Sequence, residues 1–272
     1  MKPHTKTPAI ILAAGKGTRM KSELPKVLAP VLGRPMILYP LDALRTAGIN
    51  RFILVVGYKA EEVQAALAQC ADVEYALQTE QKGTGHAVMM CKPQLQAYVA
   101  AGDGPVVVVA GDAPLMQAET IHALLADWEQ NPVSCLLGTI TVENPTGMGR
   151  ILRDADGNFV GIIEEKDATD SQKKIREVNQ SYYVFLASDL LSALEHIRPN
   201  NAQAEYYITD CPALFLKSGK TVRALPILKP VEAVSVNTQE ELKIVEEILR
   251  KMSFSYGNIS RNAAVSFPSS FS

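Results

Sequence analysis

The chain has 272 residues, of which 47% are hydrophobic and 21% charged, and its formal net charge is −2. A chain of this length can bury one large core, and an α/β protein of this size is commonly a single catalytic domain. The balanced charge argues against nucleic acid as the main partner, since such proteins carry a large excess of Lys and Arg. A membrane span is also excluded, because no apolar run approaches about 18 residues.

The four cysteines, Cys70, Cys91, Cys135 and Cys211, lie far apart in the chain without a CxxC pair. This spacing argues against a zinc ribbon or a redox motif, and we expect buried, reduced thiols. The first six residues run directly into a short apolar strand, without the longer apolar stretch and cleavage site of a signal peptide. We therefore expect a cytoplasmic protein.

Short runs rich in Val and Ile alternate with amphipathic helical patterns in the first half of the chain. The predicted strands are residues 9–13, 51–56 and 105–110. The predicted helices are residues 35–47, 60–69 and 117–129. This alternation predicts a parallel sheet covered on both faces, with ligands at the carboxyl ends of its strands.

The second half changes to a β-rich pattern and then returns to a helix. The β-rich segments are residues 133–142, 149–153, 159–164 and 178–186. They predict a smaller lobe able to close over a substrate. Helical periodicity covers residues 239–252, and residues 253–272 are rich in Ser and Asn without a clear period. We therefore predict one domain at residues 1–252 and a C-terminal tail at 253–272.

The first predicted strand ends in a glycine-rich loop, LAAGKGTRM at residues 12–20. Small residues there let backbone N–H groups approach a triphosphate closely. The loop carries Lys16 and Arg19, and Lys26 follows shortly afterwards, next to the stiff Pro25. The arrangement suits a polyphosphate, although a solvated loop between a strand and a helix would have the same pattern.

Two familiar phosphate motifs do not match this loop. A P-loop needs a Gly five residues before the Gly-Lys pair and a Ser or Thr after the Lys, but Ile10 and Gly17 occupy those positions. A dinucleotide fingerprint needs a third Gly where Met20 stands. The loop is therefore a phosphate-binding candidate of another kind.

Further motifs give the chain a specific resemblance. They are QTEQKGTGHA at 78–87, GDAPL at 111–115, PTGMGRI at 145–151, EEKDAT at 164–169, NAQAEYYITD at 201–210 and VN at 236–237. Together with residues 12–28, they resemble the sugar-phosphate nucleotidyltransferases. They are most similar to the N-terminal pyrophosphorylase domain of the bacterial bifunctional UDP-N-acetylglucosamine pyrophosphorylase/glucosamine-1-phosphate acetyltransferases. The resemblance implies an α/β, Rossmann-like nucleotidyltransferase fold: a mixed, mainly parallel sheet flanked by helices, with a smaller β-rich sugar-binding lobe.

Asp112 follows the predicted strand at residues 105–110, where a carboxylate can hold a hard cation against phosphate oxygens. The resemblance implies that the cation is Mg²⁺ and that Asn237 is its second ligand. Each residue has a structural alternative. Asp112 could cap a helix that begins near Pro114, and Asn237 could cap the last helix.

The resemblance also implies a nucleotide site. Arg19 would contact the departing phosphates of UTP, Lys26 the reacting phosphates, and Asp112 would complete the catalytic group. The implied nucleotide-binding residues are Leu12, Ala13, Ala14, Gly15, Lys26, Gln78, Gly83 and Thr84. His86 follows this motif, but a lone His that opens a helix is more often structural.

For the sugar, the resemblance implies contacts from Gly149, Glu164 and Asn179. A carboxylate such as Glu164 can accept hydrogen bonds from vicinal hydroxyls, although a solvated carboxylate at the end of a strand is the structural alternative. The chain departs from the family pattern nearby. Gln180-Ser181 replaces Thr-Gly, Met148 replaces an aromatic residue, and Ala110 stands where Tyr often precedes Gly-Asp, so the identity of the sugar is open.

The implied activity is uridylyl transfer from UTP to N-acetylglucosamine 1-phosphate, which yields UDP-N-acetylglucosamine and pyrophosphate. The alternatives are a nucleotidyltransferase for another sugar 1-phosphate or for CTP, and a non-catalytic nucleotide-sugar-binding protein. The tail lacks the hexapeptide repeats of a left-handed β-helix. We therefore expect no acetyl transfer, no membrane or nucleic-acid partner, and a monomer rather than a trimer.

Overall fold

The computed structural model of the protein describes residue 4, residues 6–20 and residues 22–255. The strands are β1 Ala9–Ala13, β2 Pro30–Val31, β3 Arg34–Pro35, β4 Phe52–Val56, β5 Val73–Leu77, β6 Pro105–Ala110, β7 Cys135–Thr141, β8 Gly149–Arg153, β9 Phe159–Ile163, β10 Glu177–Leu186 and β11 Val222–Leu225. The α-helices are α1 Leu38–Thr46, α2 Ala60–Ala66, α3 Thr84–Met89, α4 Lys92–Ala100, α5 Ala118–Gln130, α6 Ala187–Leu194, α7 Cys211–Lys217 and α8 Gln239–Ser255. None of these helices is long and apolar enough to cross a membrane.

The central sheet has the strand order β11-β7-β10-β6-β1-β4-β5. Strand β1 pairs in parallel with both β4 and β6, and β11 pairs in parallel with β7. Strand β10 is antiparallel to both of its neighbours in this order, β6 and β7. The sheet is therefore mixed and mainly parallel, as predicted, and the carboxyl ends of β1 and β6 lie side by side.

The sheet is buried on both faces. In β4, Phe52, Leu54 and Val56 belong to one apolar cluster, while Ile53 and Val55 belong to another. Successive residues of a strand point to opposite faces, so each face packs against its own layer of helices. Helices α1 and α5 cover the first face, and α4, α6 and α7 cover the second.

The β-rich second half divides into two parts. Strands β7 and β10 complete the central sheet, and only the β8–β9 hairpin branches from it. The hairpin pairs with β10 through Arg150 opposite Val178 and Gly149 opposite Asn179. The continuous burial of β7 explains its place in the sheet, because both faces of a central strand need apolar side chains.

Helix α8 packs on the small β2–β3 ribbon through a third apolar cluster that includes Met36, Val236 and Val245. The helix continues to Ser255, three residues beyond its predicted end. The rest of the predicted tail, residues 256–272, lies outside the described residues. Three statements therefore stay predictions: the domain boundary after residue 252, the expected lack of acetyl transfer, and the monomeric state.

Candidate active site

A cleft of about 580 Å³ opens at the carboxyl ends of β1 and β6. Its lining includes Leu12, Ala13, Ala14, Gly15, Lys16, Gly17, Thr18, Arg19, Lys26, Val27, Gln78, Gln81, Gly83, Thr84, Ala87, Ala110, Asp112, Ser181 and Glu205. All eight predicted nucleotide-binding residues are in this set. The cleft lies where a parallel sheet is expected to bind ligands.

The glycine-rich loop folds tightly against the segment that carries Lys26. Gly17 has a φ of +66°, and a Cβ atom there would lie 2.5 Å from Cβ of Lys26. A side chain at position 17 would be both strained and in collision. The glycine thus permits the approach that brings Lys26 into the cleft.

Four predicted residues form one cluster of charges and oxygens beside the cleft. The Lys26 ammonium donates to Oδ2 of Asp112 and to Oδ1 of Asn237, the latter at 2.8 Å. Nη2 of Arg19 donates to the same Asn237 oxygen at 2.9 Å. A carboxylate and an amide oxygen therefore converge on one cationic group, although the residues lie far apart in the chain.

The side chain of Asn237 is available for this cluster because another residue caps helix α8. Thr238 Oγ1 accepts from the Glu241 N–H at 3.2 Å, and Glu241 Oε2 accepts from the Thr238 N–H at 2.9 Å. This reciprocal pair is a capping box. The alternative in which the Asn237 side chain caps the helix is therefore wrong, and its amide nitrogen instead donates to Ser235 Oγ at 3.1 Å.

Asp112 is likewise not a helix cap. Helix α5 begins at Ala118 with Gln117 at its N-cap position, so the Asp112 side chain lies well before the helix. The backbone oxygen of Asp112 accepts from the Val236 N–H at 3.3 Å. This bond joins the two loops that carry Asp112 and Asn237.

The oxygens of Asp112 and Asn237 fit a hard divalent cation. Both already bind a cation, the Lys26 ammonium, and carboxylate and amide oxygens are the ligands that Mg²⁺ prefers. Within the described part of the chain, no group of three His, Cys, Asp or Glu side chains could hold a metal ion. A cation held by these two residues would therefore need water or substrate oxygens as well.

Gln78, one of the predicted nucleotide-binding residues, lines the cleft and is nearly buried, with 3% of its surface exposed. Its Nε2 donates to the Gly83 oxygen at 3.1 Å and to Nδ1 of His86 at 3.0 Å. Both amide protons are thus bound within the protein, which leaves Oε1 to face a ligand. His86 has the structural contact that its position suggested, because it orients Gln78.

The turn around Gly83 packs on the segment that follows residue 204. Gly83 has a φ of +102°, and a Cβ atom there would lie 2.5 Å from the Tyr206 oxygen. The Tyr206 oxygen accepts from the Gly85 N–H at 2.7 Å, and Thr84 Oγ1 accepts from the Ile208 N–H at 3.1 Å. The 205–208 segment therefore supports the wall of the cleft that Gly83 and Thr84 line.

The three predicted sugar residues lie together, but they are not among the residues that line the cleft. Gly149 pairs with Asn179 across β8 and β10. A Cβ atom on Gly149 would lie 3.4 Å from each carboxylate oxygen of Glu164, whose Oε1 accepts from Thr209 Oγ1 at 3.0 Å. Ser181, which lines the cleft, adjoins this group through its N–H, which donates to Oδ1 of Asn179 at 3.2 Å.

Glu164 lies in a desolvated and acidic environment. Burial raises the pKa of its carboxyl group, and the negative charges of Asp167 and Asp210 raise it further, while the Thr209 hydrogen bond and the Arg150 charge lower it. The net pKa lies above the ordinary value of a glutamate. A desolvated carboxylate is suited to accept hydrogen bonds from ligand hydroxyl groups, because these replace the hydrogen bonds to water that burial removed.

The departures from the family pattern meet at a β-bulge in β10. The register with β7 shifts between Asn179 and Tyr182, and Ser181 adopts a φ of +57°. Gln180 Nε2 donates to the Ala233 oxygen at 3.3 Å and contacts Met148 Sδ at 3.5 Å. Two of the altered residues, Met148 and Gln180, thus contact each other beside the three predicted sugar residues, which we call the sugar group.

Nine residues of the cleft were not predicted as site residues: Lys16, Gly17, Thr18, Val27, Gln81, Ala87, Ala110, Ser181 and Glu205. Lys16 and Gln81 lie inside motifs that the sequence analysis quoted, so proximity to those motifs was a usable signal. Ser181 and Glu205 enter the cleft through the bulge and through the packing of residues 205–208. Glu205 also lies inside a quoted motif, residues 201–210, and Ser181 lies at a quoted departure from the family pattern, so both positions carried a signal as well.

Comparison with known proteins places the chain among nucleotidyltransferases. The family model of the MobA-like NTP transferase domain matches residues 9–206. The bifunctional protein GlmU of Pelotomaculum thermopropionicum is 44% identical over 243 residues, which is 89% of this chain and 52% of that protein. The bifunctional protein GlmU of Syntrophotalea carbinolica is 42% identical over 248 residues, covering 91% and 52%. The chain thus spans about half the length of these curated relatives.

A solved structure supports the fold. It is the crystal structure of a Bacillus anthracis protein assigned as a glucose-1-phosphate thymidylyltransferase, in complex with sucrose. The two chains superpose with a TM-score of 0.73 at 20% identity, covering 90% of this chain and 95% of the other. The predicted fold class is confirmed by this likeness together with the sheet order.

Proposed function

The chain belongs to the family of MobA-like NTP transferase domains, and from that premise we propose that it is a UDP-N-acetylglucosamine pyrophosphorylase. It transfers the uridylyl group of UTP to N-acetylglucosamine 1-phosphate and releases pyrophosphate. The observation that carries the proposal is the cluster of Arg19, Lys26, Asp112 and Asn237 beside the cleft. The identity with the GlmU proteins over nine tenths of the chain supports the choice of substrates.

Enzymes of this family generally use a divalent metal, and we assign Mg²⁺ to this one. Asp112 and Asn237 would hold it through Oδ2 and Oδ1, the two atoms that bind the Lys26 ammonium. When bound, the ion would neutralise charge on the phosphates and orient them. It would keep several waters, since two protein ligands do not fill its coordination.

The reaction is an in-line displacement at the α-phosphorus of UTP. A phosphate oxygen of the sugar 1-phosphate forms the new P–O bond, and the bond from the α-phosphorus to the bridging oxygen of the β-phosphate breaks. Lys26 stabilises negative charge on the reacting phosphates, and Arg19 binds the phosphates that leave as pyrophosphate. The sugar phosphate is already anionic, so the reaction requires no side-chain nucleophile.

The hydrogen bonds of Gln78 favour uracil over cytosine. Its amide nitrogen is committed to Gly83 and His86, so Oε1 is the atom that meets the base. A carboxamide oxygen accepts from the N3–H of uracil, whereas N3 of cytosine has no proton and would repel it. UTP is therefore the better substrate for this geometry.

The sugar binds next to the bulge of β10 in this proposal. Glu164 accepts hydrogen bonds from sugar hydroxyls, and the backbone at Gly149 and the Asn179 amide complete the contacts. Asn179 is already bonded to Tyr183 Oη at 2.7 Å through Nδ2. Its second amide proton is the one that can reach a ligand.

The decisive experiment measures pyrophosphate release with UTP or CTP and a panel of sugar 1-phosphates. We expect release with UTP and N-acetylglucosamine 1-phosphate, none without the sugar phosphate, and UDP-N-acetylglucosamine by mass spectrometry. Faster release with another sugar 1-phosphate would reassign the sugar, and equal release with CTP would contradict the role of Gln78. Binding of UDP-N-acetylglucosamine without any turnover would instead make the protein a non-catalytic binder.

A further inference from the structure

Arg150 of β8 is the largest fully buried side chain among the described residues, with 1% of its surface exposed. A buried guanidinium is costly unless its charge is paired and its protons are bonded. Replacing such a pair with apolar residues often stabilises a protein. The presence of a charged group in this position therefore needs a reason other than stability.

The guanidinium of Arg150 joins the segments on either side of the sugar group. Nη2 donates to Glu165 Oε2 at 2.6 Å, and Nη1 donates to the backbone oxygen of Met148. The same Glu165 oxygen accepts from the Gly147 N–H at 3.1 Å. The bond from Arg150 lowers the pKa of Glu165, so the pair is ionic. The loop before β8 is thus tied to the loop after β9.

Each partner of this ion pair is the sequence neighbour of a predicted sugar residue. Arg150 follows Gly149, and Glu165 follows Glu164. Successive residues of a strand point to opposite faces, so Arg150 leaves β8 on the face opposite to the one where Gly149 meets Glu164. The pair therefore lies behind the sugar group and positions it through the backbone, and the Arg150 charge also reaches the Glu164 carboxyl group through space.

We propose that Arg150, paired with Glu165, is a positioning residue that holds the Gly149 backbone and the Glu164 carboxylate at the separation that recognises the sugar of a sugar 1-phosphate. The proposal rests on the proposed function and adds a specificity role for a residue that does not touch the substrate. Arg suits the task because its planar fork fixes direction as well as distance, whereas Lys is a single flexible charge.

The same strand provides a matched control. Arg153, three residues further along β8, makes two bonds of 2.7 Å to Glu177. This pair contacts neither the loop before β8 nor the residue after Glu164 in the described structure. Arg153→Lys and Glu177→Gln therefore make the same chemical changes without altering either of those two segments.

The test compares Michaelis constants in four variants and the wild type. We expect Arg150→Lys and Glu165→Gln to raise KM for the sugar 1-phosphate by about tenfold or more, because the contacts they align are lost. KM for UTP should stay within about twofold, and both control variants should leave both constants unchanged. The double variant Arg150→Lys with Glu165→Gln should raise KM for the sugar 1-phosphate no further than the more damaging of the two single variants does. The two residues act as one unit, so their effects do not add.

Thermal unfolding of each variant separates positioning from folding. If Arg150→Lys does not fold, Glu165→Gln carries the test, because its side chain is 28% exposed and its shape is kept. Equal increases in both Michaelis constants, or the same increase in the Arg153→Lys variant, would overturn the positioning role. A wild-type protein without turnover on any sugar 1-phosphate would refute the proposed function, and the inference with it.

Discussion

Lys26 is the residue on which the candidate site converges. Its ammonium binds both oxygens assigned to the metal, and Arg19 binds one of them. With Asp112 and Asn237, these side chains carry two positive charges and one negative charge. The excess positive charge favours phosphate, and a phosphate that draws Lys26 and Arg19 to itself would free the oxygens for a cation. Nucleotide and metal binding should therefore support each other.

We predict that Asp112→Asn folds normally but loses roughly 100-fold or more in turnover. The substitution keeps the shape of the side chain and removes the only carboxylate of the cluster. Pyrophosphate release at saturating Mg²⁺ measures the effect. Asp127→Asn is the matched control, because Asp127 lies on α5 and pairs with Arg223 instead. Near wild-type turnover of Asp112→Asn would remove Asp112 from the metal site.

A second prediction concerns the pH dependence of sugar binding by Glu164. Its raised pKa means that the carboxylate takes up a proton at a higher pH than an ordinary glutamate. The charged groups around it are Asp167, Asp210 and Arg150, with the Thr209 hydroxyl bonded to it. Since the ionised form accepts sugar hydroxyls, binding is present above the raised pKa and is lost as the pH falls through it.

Measurement of kcat/KM for the sugar 1-phosphate against pH tests this, with Glu164→Gln as the reference. The substrate phosphate itself titrates near pH 6, so the quantity to plot is the ratio of wild type to variant. We expect this ratio to fall on acidification, with a midpoint above the ordinary pKa of a glutamate. A constant ratio across the range would show that ionised Glu164 does not bind the sugar.

At the scale of elements, the segment from Pro230 to Asn237 connects the parts of the site. Its buried Glu232 accepts from Thr120 Oγ1 at 2.7 Å and from the N–H groups of Gln117 and Lys229 at 3.0 and 2.9 Å. These bonds dock the segment on the start of α5. The position of Asn237 thus depends on two helices: α5, to which the segment is hydrogen-bonded through Glu232, and α8, which begins just after Asn237.

The capping box of α8 gives a prediction at this scale. Glu241→Ala removes the acceptor of the Asn237 and Thr238 N–H groups, which lie 2.6 and 2.9 Å from Oε2. We expect a loss of about 1 kcal/mol in the free energy of unfolding. Urea denaturation measures it, and Glu247→Ala, at an exposed position of the same helix, is the control. Equal stability of the two variants would contradict the cap.

For the whole molecule, the central sheet divides the core into two layers, so a strand in its middle has no solvent-exposed face. Leu54 of β4 is fully buried, whereas Leu77 at the end of β5, the edge strand, is 54% exposed. The two residues have the same chemistry and lie in adjacent, parallel strands. The same substitution at the two positions therefore isolates the effect of burial on the free energy of unfolding.

We predict that Leu54→Ala lowers the free energy of unfolding by about 2–5 kcal/mol, through lost transfer energy and a residual cavity. Leu77→Ala should change it by less than about 1 kcal/mol. Chemical denaturation of both variants provides the measurement. A similar loss in both would mean that Leu54 is not enclosed on both faces as the sheet order requires.

The sequence alone determined the elements that have strong local patterns. Strands β1, β4 and β6 were predictable because a strand buried on both faces must be continuously apolar. Helices α1 and α5 follow from their amphipathic periodicity. Strand β5 was missed because its sequence VEYAL mixes polar and apolar residues at the sheet edge, and α3, with six residues, is too short for a clear period. The residues assigned to the nucleotide lie in short motifs and line one cleft, and their nucleotide-binding role stays a prediction.

Only the tertiary structure decided how these motifs meet. Lys26 contacts Asp112 and Asn237 across 86 and 211 positions of sequence. It does so because β1 and β6 are neighbours and the segment before α8 is bonded to the backbone of Asp112. That the Asn237 side chain does not cap α8 followed from Thr238 taking the cap, and its role as a metal ligand stays a prediction. Arg150 lies inside the motif at residues 145–151, but nothing in the sequence indicated its burial, since a single Arg in a β-rich segment is usually solvated. Its burial and its bond to Glu165 exist only once the hairpin has folded. Such long-range packing cannot be predicted from a residue's sequence neighbours, whereas local periodicity can.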